Sequence, residues 1–391
     1  MSHPADLRRR WVALFFLFGL PGVVLSSWVT RTPAFRDAAG TDVLGMGLIL
    51  LGLSIGSMAG ILLSAHLTRR WGARRAVLAS STAILLGAAL LALAGALALG
   101  VPAFLGLLCF GWGMGASEVG INTEGARLEV DTGKPLLSTL HAGFSIGTVL
   151  GAAVGFAMDA GGVPLGVHLG GVLLVLLAPA VLAVRALPAR TGPTLEGGGS
   201  GARDRVDRRI VLIGVVVLGM AFGEGTANDW LPLVMVDGHG VDAAVGALAY
   251  LGFAAAMAAG RFAGPAAIMR FGRVAVLRAC AVLAVTGLLL VVASPVPAFA
   301  VGAALIWGIG ASVGFPIAIS AAADGAADPE RRVGQVVTTG YLAFLVGPPL
   351  LGTLGDVIGL RGAIVVVLVM VAVVVVVAGS VGAPRAGVRE S

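Results

Sequence analysis

The feature that most constrains this chain is a succession of long apolar runs. Twelve of them fall at about 11–30, 43–64, 76–98, 101–123, 135–158, 161–185, 209–236, 243–267, 274–294, 297–322, 333–355 and 360–380. A run of about 20 residues crosses the hydrocarbon of a bilayer as an α-helix. A helix is required because backbone N–H and C=O groups cannot stay unpaired in lipid. Even the stretch Val365-Val366-Val367, strand-like by propensity, must be helical there. With 58% hydrophobic and 12% charged residues, the composition lies outside that of soluble domains. The expected class is an all-α membrane protein of twelve transmembrane helices.

The basic residues set the orientation. With the N-terminus placed in the cytoplasm, 22 of the 26 Lys and Arg residues fall in cytoplasmic segments. Three fall outside (Arg31, Arg36 and Arg361), and Arg261 lies within a span. Loops rich in Lys and Arg stay inside, so both termini are expected in the cytoplasm of a cell with this protein in its inner membrane. The net charge of +6 is thus a topology signal, and no nucleic-acid partner is expected. Arg8-Arg9-Arg10 before an apolar run imitates a signal peptide. That run continues to Trp28 and eleven similar ones follow it, so it reads as a first span. Cys109 and Cys280 lie in apolar runs and offer neither a disulfide framework nor a metal spacing. No phosphate-binding loop, zinc-protease motif or nucleophile elbow is present, so no cofactor is expected, and a membrane-embedded enzyme is only a remote alternative.

The chain divides into halves. Residues 187–208 are glycine-rich and then charged, ending in Arg203-Asp204-Arg205-Val206-Asp207-Arg208, and read as a cytoplasmic linker. It separates an N-terminal six-helix bundle, residues 1–186, from a C-terminal one, residues 209–391. The halves repeat. Arg70-Trp71-Gly72 matches Arg270-Phe271-Gly272, and Phe144 to Gly147 matches Phe344 to Gly347, both at an offset of 200. Trp28 and Trp230 are 202 apart, and Trp112 to Ser117 matches Trp307 to Ser312 at 195. Parallel repeats about the membrane normal predict two pseudo-symmetric bundles that rock around a central site.

Ionisable groups inside a span cost about 2.5–3.5 kcal/mol on insertion scales and persist where they face a bundle interior or a wet cleft. Glu118 and His141 are therefore candidates, beside the alternative of satisfied structural groups. Glu224 and Asn228 repeat the four-residue spacing of Glu118 and Asn122, and residues i and i+4 share a helix face. Each of these two helices then offers a carboxylate and an amide on one stripe. Asp229 falls near the outer mouth. Tyr341 is the repeat partner of His141 at offset 200. Trp28, Trp112, Trp230 and Trp307 are either interfacial anchors or an aromatic wall for a ring-shaped solute. Arg261 is expected to snorkel to the cytoplasmic surface. Arg69, Arg70, Gly72, Arg74, Arg270 and Gly272 mark the loops that gate.

These features together resemble the major facilitator superfamily, most nearly the fucose:proton symporter branch and its bacterial relatives of unassigned substrate. The resemblance is carried by Ser27-Trp28-Val29-Thr30-Arg31, Gly115 to Asn122, His141 to Gly147, Glu224 to Trp230, Gly260-Arg261, and Gly340-Tyr341 through Pro349. It implies a secondary transporter working by alternating access, a monomer in membrane lipid, with a small polar, sugar-like solute and protons as partners. Proton-driven export of a drug or metabolite is the alternative. It also implies that Glu118 takes part in proton coupling and that His141 faces the solute. The chain departs from the pattern in three places. No aspartate occurs between Trp11 and Thr30, the gating loop carries Arg69 where the superfamily has aspartate, and the antiporters' proline motif is missing from the fifth span. Glu224 is the expected replacement for the missing aspartate as a second titrating group.

Overall fold

The computed structural model describes residues 4–133, 136–188, 207–324 and 329–382. The N-terminal bundle contains α1 (Pro4–Val29), α2 (Thr32–Ala39), α3 (Val43–Trp71), α4 (Ala73–Leu97), α5 (Gly100–Thr132), α6 (Leu137–Ala160) and α7 (Leu165–Ala186). The C-terminal bundle contains α8 (Arg208–His239), α9 (Ala243–Phe271), α10 (Arg273–Ala293), α11 (Pro297–Ala311), α12 (Gly314–Ala323), α13 (Pro329–Ile358) and α14 (Leu360–Val377). The twelve expected spans are all present among the described residues. The linker expected at 187–208 lies outside the described residues from 189 to 206.

Two elements differ from the sequence expectation. Between the first two spans the chain forms the short amphipathic α2, started by Pro33 and closed by Gly40 at φ +61°. The tenth span is broken, α11 ending at Ala311 and α12 starting at Gly314. Proline at position 316 lacks the N–H that would bond the carbonyl four residues back, at Ser312, and its ring crowds that turn.

Starts and turns follow local chemistry. Asp42 accepts the Gly45 N–H at 2.7 Å and Asp207 accepts that of Ile210 at 2.8 Å, so both begin helices as N-caps. Gly72 and Gly272, at repeat-equivalent positions, turn α3 into α4 and α9 into α10 with nearly identical backbone, φ +80° in both. A side chain is strained at that φ.

With lipid as apolar as the helices, packing within a bundle comes from close backbone approach. Gly56 and Gly60 of α3 interlock with Gly111 and Gly115 of α5. A Cβ at Gly56 would lie 2.1 Å from the Leu108 carbonyl, and one at Gly115 only 2.3 Å from that of Ser57. The four-residue glycine stripe of α6 meets α1 in the same way.

Among the described residues the bundles meet where α3 packs on α13 and α6 on α9. Odd spans leave the face that holds the N-terminus and even spans return to it, so Gly47 of α3 and Gly352 of α13 lie toward the opposite face. There a Cβ on Gly47 would sit 3.1 Å from the Cα of Gly352. Deeper along the same pair of helices, Ser54 Oγ donates to the Phe344 carbonyl at 2.6 Å. Ser26 and Tyr250 link α1 to α9 at 3.3 Å between hydroxyls. At the rim Arg36 of α2 pairs with Asp237 of α8. The molecule is thus closed at the face opposite the N-terminus.

Candidate functional site

Below that closure, toward the N-terminal face, polar side chains from both bundles converge. In the N-terminal bundle Glu118 of α5 is solvent-exposed, and its side-chain partner among the described residues is neutral. Asn122, one turn on, donates from Nδ2 to Glu118 Oε1 at 3.1 Å and to the Glu118 carbonyl at 2.7 Å. Its Oδ1 lies 2.9 Å from Nε2 of His141 on α6. The Phe18 ring of α1 packs on the imidazole at 4.7 Å. Among the described residues Glu118 makes no ion pair.

In the C-terminal bundle Glu224 of α8 is bound instead to a cation. Arg261 of α9 donates from its terminal nitrogen to Glu224 Oε1 at 2.7 Å, with both side chains largely buried. Its Nε points to the Ser312 carbonyl at 3.4 Å. That carbonyl is the one freed by Pro316, so the break in the tenth span supplies an acceptor that orients the guanidinium. Arg261 therefore does not snorkel to the surface. A buried carboxylate and a freed carbonyl outweigh the modest gain of reaching water.

The two clusters face each other. Glu118 and Arg261 both act electrostatically on His141, and Glu118 also acts on the Tyr341 hydroxyl of α13. The structure therefore brings together Glu118, Asn122, His141, Tyr341, Glu224 and Arg261. Asn228 sits higher, accepting from the buried Tyr250 hydroxyl at 2.9 Å. Asp229 is buried beside Tyr250, in the closed half, with no ion pair among the described residues.

The tryptophans are placed differently from the aromatic wall considered above. Trp28, Trp230 and Trp307 are all at most 1% exposed and fill the bundle interiors. Trp28 packs on Phe35 and Trp307 on Phe253. Trp112 packs with Leu67, Ala76 and Ala116 at the α3–α5 contact. Large indoles fill gaps that small-residue helices leave, and none of the three buried rings is free to stack on a solute. At the loops, Arg69, Arg70 and Arg270 are exposed and Arg74 is half-buried. None forms an ion pair among the described residues, and Arg270 lies over the Phe271 ring at 5.2 Å. The substitution of aspartate by Arg69 thus leaves no charge latch at Gly72.

Sequence reasoning missed Tyr250, Ser26 and the Arg36–Asp237 pair. Tyr250 is one of only two tyrosines in the chain, which was a usable signal.

The model of the Major Facilitator Superfamily matches residues 136–338 and 213–388. The uncharacterized transporter y4wD of Sinorhizobium fredii is 31% identical over 92% of this chain and 96% of its own length. The membrane protein MosC of Rhizobium meliloti is 26% identical, covering 91% and 86%. Among solved structures, the fold is similar to a mutant of the nucleoside transporter NupG, with a TM-score of 0.73 at 14% identity, covering 95% of this chain and 98% of that one. It is similar also to the transporter FucP, crystallised in an outward conformation, with a TM-score of 0.66 at 16% identity, covering 96% and 99%.

Proposed function

The chain belongs to the Major Facilitator Superfamily, and from that premise we propose that it carries a small polar solute together with a proton, by alternating access, through the site between its bundles. It is a secondary transporter and not an enzyme. The observation that carries the proton is Glu118, an ionisable carboxylate inside a span whose side-chain partner among the described residues is a neutral amide. A carrier that must close over such a charge needs it neutralised, because isolated charge in a low-dielectric site costs several kcal/mol. A proton does this reversibly.

Glu224 and Arg261 already neutralise each other, so they serve as fixed donors and acceptors for the solute, with Tyr341 of the same bundle and His141 of the other. The basic loops orient the N-terminal face to the cytoplasm of a cell membrane, and the arrangement described is then inward-open. A reporter fused after Gly199 is expected in the cytoplasm and one after Gly162 outside. A solute-level test starts with a thermal-shift screen of purified protein against sugars, nucleosides, amino acids and amphipathic drugs. Hits are then followed as radiolabelled uptake into proteoliposomes with an imposed pH gradient. Accumulation that ignores the gradient would remove the proton from the mechanism. Hits confined to amphipathic drugs would replace the sugar-like solute.

A further inference from the structure

The hydrogen bonds between Glu118, Asn122 and His141 have a direction, and that direction has chemical content. An amide oxygen only accepts and an amide nitrogen only donates. With Nδ2 of Asn122 turned to Glu118, its Oδ1 must receive a proton from Nε2 of His141. Neutral His141 is then the Nε2–H tautomer, and its Nδ1, which has no partner among the described residues, is an acceptor open to the cleft.

We propose that Asn122 joins Glu118 and His141 into a single one-proton site, whose protonation state is displayed to the solute at His141 Nδ1. The proton has two resting places. If it binds Nδ1, His141 is an imidazolium, the Asn122 bonds are unchanged, and Nδ1 becomes a donor. If it binds Glu118, the carboxylic acid must donate to the amide oxygen, so the Asn122 side chain gives up its bond to the Glu118 carbonyl, turns away from it, and the amide reverses. Its nitrogen then donates to Nε2, and the imidazole proton is carried on Nδ1. Both routes add one proton to the unit and both turn Nδ1 from acceptor to donor. Asn122 is a positioning residue here, and His141 is the reporter that the solute reads. The coupling partner of Glu118 is accordingly His141 of its own bundle. The other groups facing the unit are Arg261 of α9, held by Glu224, and Tyr341 of α13. Phe18 of α1 contributes only an apolar ring.

This inference deepens the reading of Glu118 as the proton site, but its test needs no solute. Protein labelled with 15N in its imidazoles is followed by NMR against pH in nanodiscs, with His141→Gln assigning the signal among the five histidines. At the alkaline end wild-type His141 is expected as the Nε2–H tautomer. An Nδ1–H tautomer there overturns the proposal without any variant. Glu118→Gln is expected to move the pH at which Nδ1 gains its proton by about one unit or more, tenfold in proton affinity. In the Asn122→Leu background the same change should move it by less than about 0.3 unit. An equal shift in both backgrounds would mean simple action through space, and the relay fails. Such a failure leaves pH-driven accumulation through Glu118 intact, so it is distinguishable from failure of the transport reading.

Discussion

The two bundles share a backbone plan and differ in how they hold charge. Gly72 and Gly272 turn with the same φ, and the Trp-Gly-x-Gly-Ala-Ser segments ending at Ser117 and Ser312 pack equivalent helices. One residue further the halves part. The N-terminal bundle has Glu118 in a continuous helix, and the C-terminal bundle has Val313 at a break. The charge of the second bundle sits elsewhere, as Glu224 on α8, and arrives with its own counter-ion from α9. Arg261 in turn has Ile61 as its repeat counterpart, since 261 − 200 = 61. Duplication kept the fold because glycine approach and helix count leave little freedom. At this depth one bundle holds a carboxylate whose side-chain partner is a neutral amide, and the other a carboxylate paired with a guanidinium.

The sharpest way to break this contrast is Glu118→Gln. It is expected to abolish solute accumulation against a gradient while leaving exchange of solute at equilibrium. Measured in proteoliposomes, unchanged pH-driven accumulation would remove Glu118 from the proton route and with it the asymmetry between the bundles.

Closure of the far face depends on Gly47 meeting Gly352. Gly47→Leu inserts a side chain where a Cβ alone already lies 2.8 Å from the Pro348 carbonyl. Overpacking costs about 1–3 kcal/mol, here only in the state closed at this face. The population closed at this face should fall about tenfold or more, with turnover slowed to match. Cysteine accessibility at the far face reads this directly. Normal turnover would show that the bundles can meet there by another route.

The ion pair gives a smaller effect. Arg261→Ala leaves Glu224 unpaired in a largely buried site, at a cost of about 1–3 kcal/mol in folding stability, discounted for its partial exposure. Arg261→Ala with Glu224→Gln should lose less than Arg261→Ala alone, because no buried charge remains. Thermal unfolding of the purified variants tests this. Equal losses for Arg261→Ala and the double variant would mean that the unpaired Glu224 carboxylate carries no cost.

The sequence showed the number of spans, the duplication and the polar stripe of Glu118 and Asn122, all of which rest on local spacing. It did not show that Arg261 meets Glu224, which lies 37 residues away on another helix. Nor did it place the tryptophans, because spans that are apolar on every side have no periodic face to read. The break at Ser312 was legible in principle. Gly314 and Pro316 follow it within four residues, and a proline in a span frees the carbonyl behind it. Hydropathy alone treats those residues as one more apolar turn.

The rim pair of Arg36 and Asp237 also links the bundles. Their side chains are 15% and 25% exposed, and Arg36 is shared with its neighbour Asp37. The pair is no more exposed than Arg261 and Glu224, but Arg36 is divided between two carboxylates. It is expected to contribute about 1 kcal/mol, about a fivefold bias toward the state closed at this face. Arg36→Ala should therefore broaden, without abolishing, the closed population. Spin labels at Ala38 and Asp242, with Cys109 and Cys280 replaced by serine, would report it by pulsed EPR. Raising salt should mimic the variant, since screening over about 8 Å already operates at physiological strength. Exchanging the two charges, Arg36→Asp with Asp237→Arg, should restore the distribution only in part, because Asp37 would then face a like charge. Full closure in Arg36→Ala at low salt would assign the task of holding the far face to the remaining contacts, among them Gly47 with Gly352, Ser54 with Phe344 and Ser26 with Tyr250.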